Sequence, residues 1–305
     1  MARSSRLTKP ASQDLLRLEV VRTERLAPHW MRVTLGGGDI GRFSPMGYDQ
    51  WFRLFLPHRD DSEGAGLERI PAKANTILGF LGYLRIPDGI RPVMRNYTVR
   101  AHREHGPSGG PELDVDFVLH GAGATAGPAS RWAETASVGE NVVILDEGVG
   151  FARERGADRV LLVADETGVP AVAGVCASLP ADATGTVLLE APSAADVLRF
   201  EAPVGVEVRW LVRDAVDAPG TRALDALRAL DDPASDTHVF VVGEQTLPTS
   251  ARRHLVGRGH PKAKIRFAGY WRTGAARAAP KAEAAPDVEP SWAGRCTRAR
   301  VQLGP

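Results

Sequence analysis

Arg95-Asn96-Tyr97-Thr98-Val99-Arg100 puts a cation, an aromatic ring and a hydroxyl within four positions of a stretch that reads as a β-strand. Strand side chains alternate between faces. Arg95, Tyr97 and Val99 therefore share one side, and Asn96, Thr98 and Arg100 the other. Tyr, Thr and Val are ordinary strand formers, so the hexapeptide alone reads equally well as a plain sheet segment. As a sheet edge, the same groups can hold a flat, hydrogen-bonding, anionic ligand. The surrounding chain has to decide.

Outward from this stretch, residues 15–146 read as short strands of near two-residue period, with no long helical run before Ala129. That pattern predicts a small antiparallel barrel. Segment 60–92 interrupts it, polar at first and apolar around Ile77. It reads either as an excursion over a ligand or as a surface loop with one packed turn. Beyond Gly150 the pattern changes. The run Val160-Leu161-Leu162-Val163-Ala164 fits a strand buried on both faces, and apolar strands then alternate with helical segments. This predicts a parallel α/β sheet. The expected fold is an antiparallel β-barrel over 12–150 followed by an α/β unit over 157–274. Residues 275–305, rich in Ala, Pro and Gly, read as a flexible tail.

The 305 residues are 43% hydrophobic and 25% charged, as in a globular protein with room for two cores. Lys and Arg number 38 against 37 Asp and Glu, so no global basic field points to nucleic acid. The two cysteines, Cys176 and Cys296, are too few for a cysteine-ligated iron-sulfur cluster. The N-terminal residues are basic but lack an apolar core, and the apolar 77–86 stretch is short and contains Arg85. Neither a secretory signal nor a membrane span is expected, and a cytoplasmic location is the default.

Three further places can carry chemistry. After the strand ending at His120, Gly121, Gly123 and Gly127 lead into a helix at Pro128-Ala129-Ser130. Free N–H groups at such a helix start suit a pyrophosphate, glycines allow close approach, and His120 and Ser130 add donors. A glycine turn in an ordinary strand–helix connection is the alternative. Asp165-Glu166-Thr167 and Gly243-Glu244 follow apolar strands at the ends where open α/β sheets bind ligands. Each is also a plausible helix cap. Tyr270-Trp271 can stack on a planar ring or pack in an interface, and Arg272 can meet a phosphate or stay solvated. Arg95 itself has Asp116 as an alternative partner.

Together these pieces resemble the siderophore-interacting proteins, flavoproteins of the ferredoxin-reductase-like superfamily. Arg95, Tyr97 and Thr98 match the family's Arg-x-Tyr-Thr strand. His120, Gly121, Gly127, Pro128, Ala129 and Trp132 match its His-Gly turn and Gly-Pro-Ala helix start. Asp165-Glu166-Thr167, Gly243-Glu244 and Gly269-Tyr270-Trp271-Arg272 with Gly274 match later motifs in order. The AGATA stretch before Gly127 and the long 60–92 segment depart from the pattern.

The resemblance implies FAD, with the isoalloxazine against Tyr97-Thr98 and the phosphates near Arg95, and NADPH or NADH as donor. Asn96 and Val99 complete the flavin strand. Asp165, Glu166, Thr167 and Glu244 would face the nicotinamide cleft, and Tyr270, Trp271 and Arg272 would cover the flavin. The implied activity is reduction of a ferric siderophore or other iron chelate, with Arg53, Arg131 and Arg272 as candidates for steering an anionic chelate. A 2′-phosphate would want Arg213, Arg252, Arg253, Lys262 or Lys264, and the reading leans to NADPH. A monomer or weak homodimer is expected. A general NAD(P)H:flavin oxidoreductase with a non-iron acceptor and a non-enzymatic siderophore-binding protein are the competing readings.

Overall fold

The computed structural model describes residues 7–61, 64–121, 126–151 and 158–274. The 275–305 tail, Cys296, Gly123 and most of the AGATA stretch lie outside the described residues. The first sheet contains β1 (Leu15–Ala27), β2 (Trp30–Gly36), β3 (Trp51–Leu56), β4 (Val93–Thr98), β5 (Ala101–Arg103), β6 (Glu112–Val118) and β7 (Asn141–Gly148). They pair antiparallel in the order β4-β3-β7-β1-β2-β6-β5. The ladder is open between β4 and β5, so the architecture is a seven-stranded sheet in place of the closed barrel that the strand pattern predicts. Those two edges are nonetheless consecutive in the chain. Between them, Val99 N–H donates to Gln50 O at 2.8 Å and Arg100 N–H to Asp114 O at 2.9 Å, tying opposite ends of the sheet together.

One apolar core gathers Leu18, Val33, Leu54, Val115 and Ile144 from five strands, with Val93 and Tyr97 of β4 against it. The alternate side chains of β6 are acidic, yet Glu112, Asp114 and Asp116 are all buried. Arginines from neighbouring strands neutralise them. Arg103 grips Asp114 with two bonds of 2.7 Å and reaches Glu112 at 3.0 Å, while Arg32 holds Asp116 at 2.6 and 2.8 Å. A buried carboxylate is tolerable only when paired in this way.

Segment 60–92 forms two short helices, α1 (Ala65–Glu68) and α2 (Ile77–Leu84). They and the turn between them bury Leu67, Ile70 and Tyr83 against Phe55, Val143 and Leu145, the outward-facing residues of β3 and β7. Those two strands thus carry apolar residues on both faces, because each face has a core. The helix α3 (Pro128–Thr135) joins β6 to β7.

The second sheet is parallel, β8 (Arg159–Ala164), β9 (Thr184–Ala191), β10 (Gly205–Val212), β11 (His238–Glu244) and β12 (Ile265–Trp271), in the order β10-β9-β8-β11-β12. As the apolar run in β8 predicts, Val160, Leu162 and Ala164 pack on one side and Leu161 and Val163 on the other. α4 (Val169–Ser178) covers the first side; α5 (Thr221–Ala229) and α6 (Thr246–Gly257) cover the second. Trp30 of β2, 1% exposed, joins the α4-side core, so the two sheets share apolar packing. Among the described residues no helix is long and apolar enough to cross a membrane.

Candidate active site

Strand β4 is a sheet edge, with Thr98 opposite Trp51, Tyr97 opposite Phe52 and Arg95 opposite Leu54 in β3. The Tyr97 ring lies 4.3 Å from that of Phe117, which lies 5.5 Å from Trp132 of α3. This aromatic row ties the strand to α3, and burial pushes the Tyr97 hydroxyl pKa upward. Thr98 and Val99 are buried, whereas Arg95 and Asn96 are exposed. Asp116 does not partner Arg95: it binds Arg32, with Arg100 at 3.7 Å. Arg95 donates only to the Met94 carbonyl, at 2.7 Å, and makes no ion pair among the described residues. An exposed guanidinium with no carboxylate is free for an anion.

At the end of β6, Gly121 takes a φ of +74°, a conformation favouring glycine. The His120 ring packs against Trp271 with centroids 5.2 Å apart, and its buried Nε2 has no partner among the described residues. Burial lowers its pKa, so the ring is neutral near pH 7. The start of α3 has Gly127 as N-cap, Pro128 within its first turn and no capping side chain. Ala129 and Ser130 are buried, and the Ser130 hydroxyl donates to Val118 O at 3.0 Å, anchoring α3 to β6. Its proton is thus engaged within the protein. A cavity of about 1180 Å³ runs beside α3, lined by Val93, Pro128, Arg131, Trp132 and the loop after β3. The uncapped helix start beside this cavity fits the pyrophosphate of a dinucleotide, and the orphaned imidazole and the free Arg95 are further donors to an anion, although neither lines this cavity.

The turns of the second sheet prove to be packed. Asp165, fully buried at the end of β8, accepts from Thr167 N and Thr167 Oγ1 at 2.9 and 2.5 Å. Its other oxygen accepts from Glu244 N at 2.6 Å and from Trp271 Nε1 at 3.3 Å. Gly243, at φ +136°, permits this approach, since a Cβ there would lie 2.6 Å from the Asp165 carboxyl carbon. Burial, reinforced by the Glu166 charge, pushes the Asp165 pKa upward. Asp165 therefore pins together the ends of β8, β11 and β12. Glu166 is buried against Arg213, at 2.5 and 2.7 Å, and Arg213 also reaches Glu190 at 3.0 Å. Glu244 accepts from Thr246 N at 2.7 Å at the start of α6 and from Thr273 N at 3.2 Å.

Tyr270 is 39% exposed, and burial, with Asp49 and Asp165 nearby, raises the pKa of its hydroxyl. The second unit approaches the end of β4 through α4, where a Cβ at Gly174 would lie 2.1 Å from Tyr48 O and 3.8 Å from Val99 O. Arg272 is exposed beside Glu244. Elsewhere, Arg53 pairs with buried Glu147 at 2.8 Å, and Arg131 donates to the Ala126 carbonyl. Lys262 and Lys264 precede β12, at the opposite end of the sheet from Asp165. Arg252 lies 4.9 Å over the Phe267 ring, and Arg253 is exposed further along α6. The cations that a 2′-phosphate would want are thus dispersed.

A second cavity, of about 210 Å³, lies between the sheets, lined by His29, His120, Glu166, Pro192 and Arg213. His29, in the turn between β1 and β2, donates its N–H to Asp196 Oδ1 at 2.9 Å, and its ring Nδ1 meets Oδ2 at 2.8 Å. Sequence reasoning missed this clamp, as well as Glu190 and buried Asp49. Nothing in the sequence near Pro28-His29 marks it.

Family models match both parts of the chain: a siderophore-interacting FAD-binding domain over 19–150 and a siderophore-interacting protein domain over 157–274. A siderophore utilization protein from T. fusca has a similar structure, with a TM-score of 0.71 and 32% identity over 88% of this chain and 97% of that one. The chain belongs to the siderophore-interacting protein family. With that domain composition and architecture it is an FAD-dependent oxidoreductase. It is also similar to the ferric vibriobactin reductase of Vibrio cholerae, at 29% identity over 84% of this chain and 89% of that one. A third relative is the NADPH-dependent ferric-chelate reductase of Escherichia coli, at 26% over 83% and 91%.

Proposed function

We propose that the chain is an NAD(P)H-dependent ferric-siderophore reductase, with an FAD-binding unit over 12–150 and a nicotinamide-nucleotide unit over 157–274. The observation that carries this reading is the meeting of the two sheets beyond the end of β6, where the His120 ring lies 5.2 Å from that of Trp271 at the end of β12. Bound FAD would supply the redox chemistry, taking up two electrons as a hydride from the nicotinamide and giving them up singly to chelated Fe(III), whose oxygen ligation weakens on reduction. The protein's part is to hold and orient. Arg95 supplies an unpaired cation to the FAD phosphates, and the start of α3, with His120, faces the pyrophosphate. Tyr97 and Thr98 line the ring system, with Asn96 and Val99 completing the strand. Tyr270 and Trp271 cover it from the second sheet, and Arg272 adds a solvent-facing cation. Asp165, Glu166, Thr167 and Glu244 shape the donor cleft mainly by fixing the strand ends. The similar ferric vibriobactin and ferric-chelate reductases support iron as the acceptor.

Anaerobic stopped-flow absorbance of the FAD-loaded protein tests this. NADH or NADPH should bleach the oxidised-flavin band, and a ferric siderophore should restore it with release of chelator-trapped Fe(II). Bleaching that no iron chelate reverses would assign a non-iron acceptor.

A further inference from the structure

From the exposed face of α2 and the charges beside it, we infer that this helix docks the protein on an anionic lipid surface. Ile77 and Leu78 are 82% and 81% exposed and Leu81 is 45% exposed, on a helix whose opposite side is firmly packed. Leu81 lies four residues after Ile77 and three after Leu78, so it neighbours both on one side of the helix. Gly79 and Tyr83 face the protein instead, and a Cβ at Gly79 would strike the Lys73 carbonyl at 1.9 Å. The helix therefore cannot roll to hide its outer row. The remaining exposed large apolar residues of the described chain lie far from this segment in sequence. Clustered exposed aliphatics of this kind mark an interaction surface.

Charge identifies the partner. Lys73 precedes the helix and Arg85 is its C-cap residue; both are exposed, and neither makes an ion pair among the described residues. The nearby carboxylates are engaged, Asp88 by Arg91 at 2.7 Å and Glu68 by Arg17 at 2.5 Å. Three aliphatic side chains flanked by free cations match the headgroup–acyl boundary of an anionic bilayer, where apolar insertion and electrostatic attraction act together. The row is too small for a stable dimer, which needs on the order of 800 Å² from each partner. Docking would be transmitted to the flavin edge, because the Tyr83 hydroxyl donates to Pro92 O at 2.7 Å, immediately before β4. A ferric chelate held at a lipid surface would then be delivered beside the strand that carries Arg95 and Tyr97.

The test is co-sedimentation of the full-length, FAD-loaded protein with phosphatidylcholine vesicles, with and without phosphatidylglycerol. Binding should require phosphatidylglycerol and weaken with salt. The I77D/L78D pair should reduce the partition at least about tenfold, and Lys73→Glu or Arg85→Glu by roughly fivefold each, with FAD content unchanged. These positions are solvent-exposed, so the variants should fold, and their flavin spectrum verifies that. Absence of wild-type sedimentation at low salt would overturn the inference. So would equal binding by I77D/L78D, or an aliphatic-dependent dimer in light scattering, which would make a second copy the occupant.

Discussion

The imidazole of His120 lies 5.2 Å from the indole of Trp271, tilted by 31°, joining the segment after the first sheet's β6 to the last strand of the second sheet. The same indole donates to Asp165 at 3.3 Å, so one side chain links the orphaned imidazole to the buried carboxyl that pins the strand ends. Trp271→Phe keeps a ring over His120 and loses the N–H, whereas Trp271→Leu loses both. Aromatic pairs contribute about 0.5–1.5 kcal/mol beyond burial. FAD affinity, measured by fluorescence titration, should therefore fall roughly three- to tenfold in the Leu variant and less in the Phe variant. Equal affinity in all three proteins would remove Trp271 from the flavin site.

Arg95 should matter for a different reason. Its guanidinium is exposed and has no carboxylate among the described residues, so its removal should leave the fold intact. Hydrogen bonds to charged groups contribute about 1.5–3 kcal/mol, so Arg95→Ala should weaken FAD binding by roughly ten- to hundredfold with little change in apo-protein melting. An apo-protein that melts far lower would instead show Arg95 to be part of the scaffold.

Much of this was legible in the sequence because the signals are local. The two-sided apolar run of β8, the helix start at Pro128 and the strand carrying Tyr97 each follow from a few neighbouring residues. The acids of β6 were harder to place. Glu112, Asp114 and Asp116 share one face of the strand, and it is the arginines arriving from β2 and β5 that let that face be buried. Helix α2 was hidden because its packing face contains two glycines and its other face is apolar without being covered. The Asp165 turn reads as a ligand loop at a strand end; the contacts that make it a structural pin come from Glu244 and Trp271, far away in sequence. His29 and Asp196, 167 residues apart, leave no periodic trace at all.

The β6 ladder yields a stability prediction. Asp114 is 2% exposed and accepts from Arg103 twice and from Thr34 Oγ1 at 2.8 Å. Those partners hold its pKa below the usual range, although burial, the largest influence, opposes them. Breaking a dry ion pair from one side costs about 3–5 kcal/mol. Because the Arg103 side chain is 32% exposed, solvent screening reduces this, and Asp114→Ala should lose about 2–4 kcal/mol in urea unfolding. A loss under about 1 kcal/mol would mean that water replaces the carboxylate readily.

Asp49 provides the pH dependence. It is 5% exposed and accepts from Phe151 N at 2.7 Å and Gly150 N at 3.1 Å. Burial pushes its carboxyl up to about 6, despite those two bonds. The unfolded value is about 3.9. Between these values the native state binds more protons than the unfolded chain, so stability falls as pH rises. The contribution is therefore fully present below about pH 4 and lost as pH rises through about 6. Asp49→Asn keeps a carbonyl acceptor for both N–H groups and has no charge to bury. Relative to wild type it should gain up to about 3 kcal/mol between about pH 4 and pH 7. Tm measured across that range checks the sign: a variant whose relative stability is flat or falls with pH would show that Asp49 is ionised throughout.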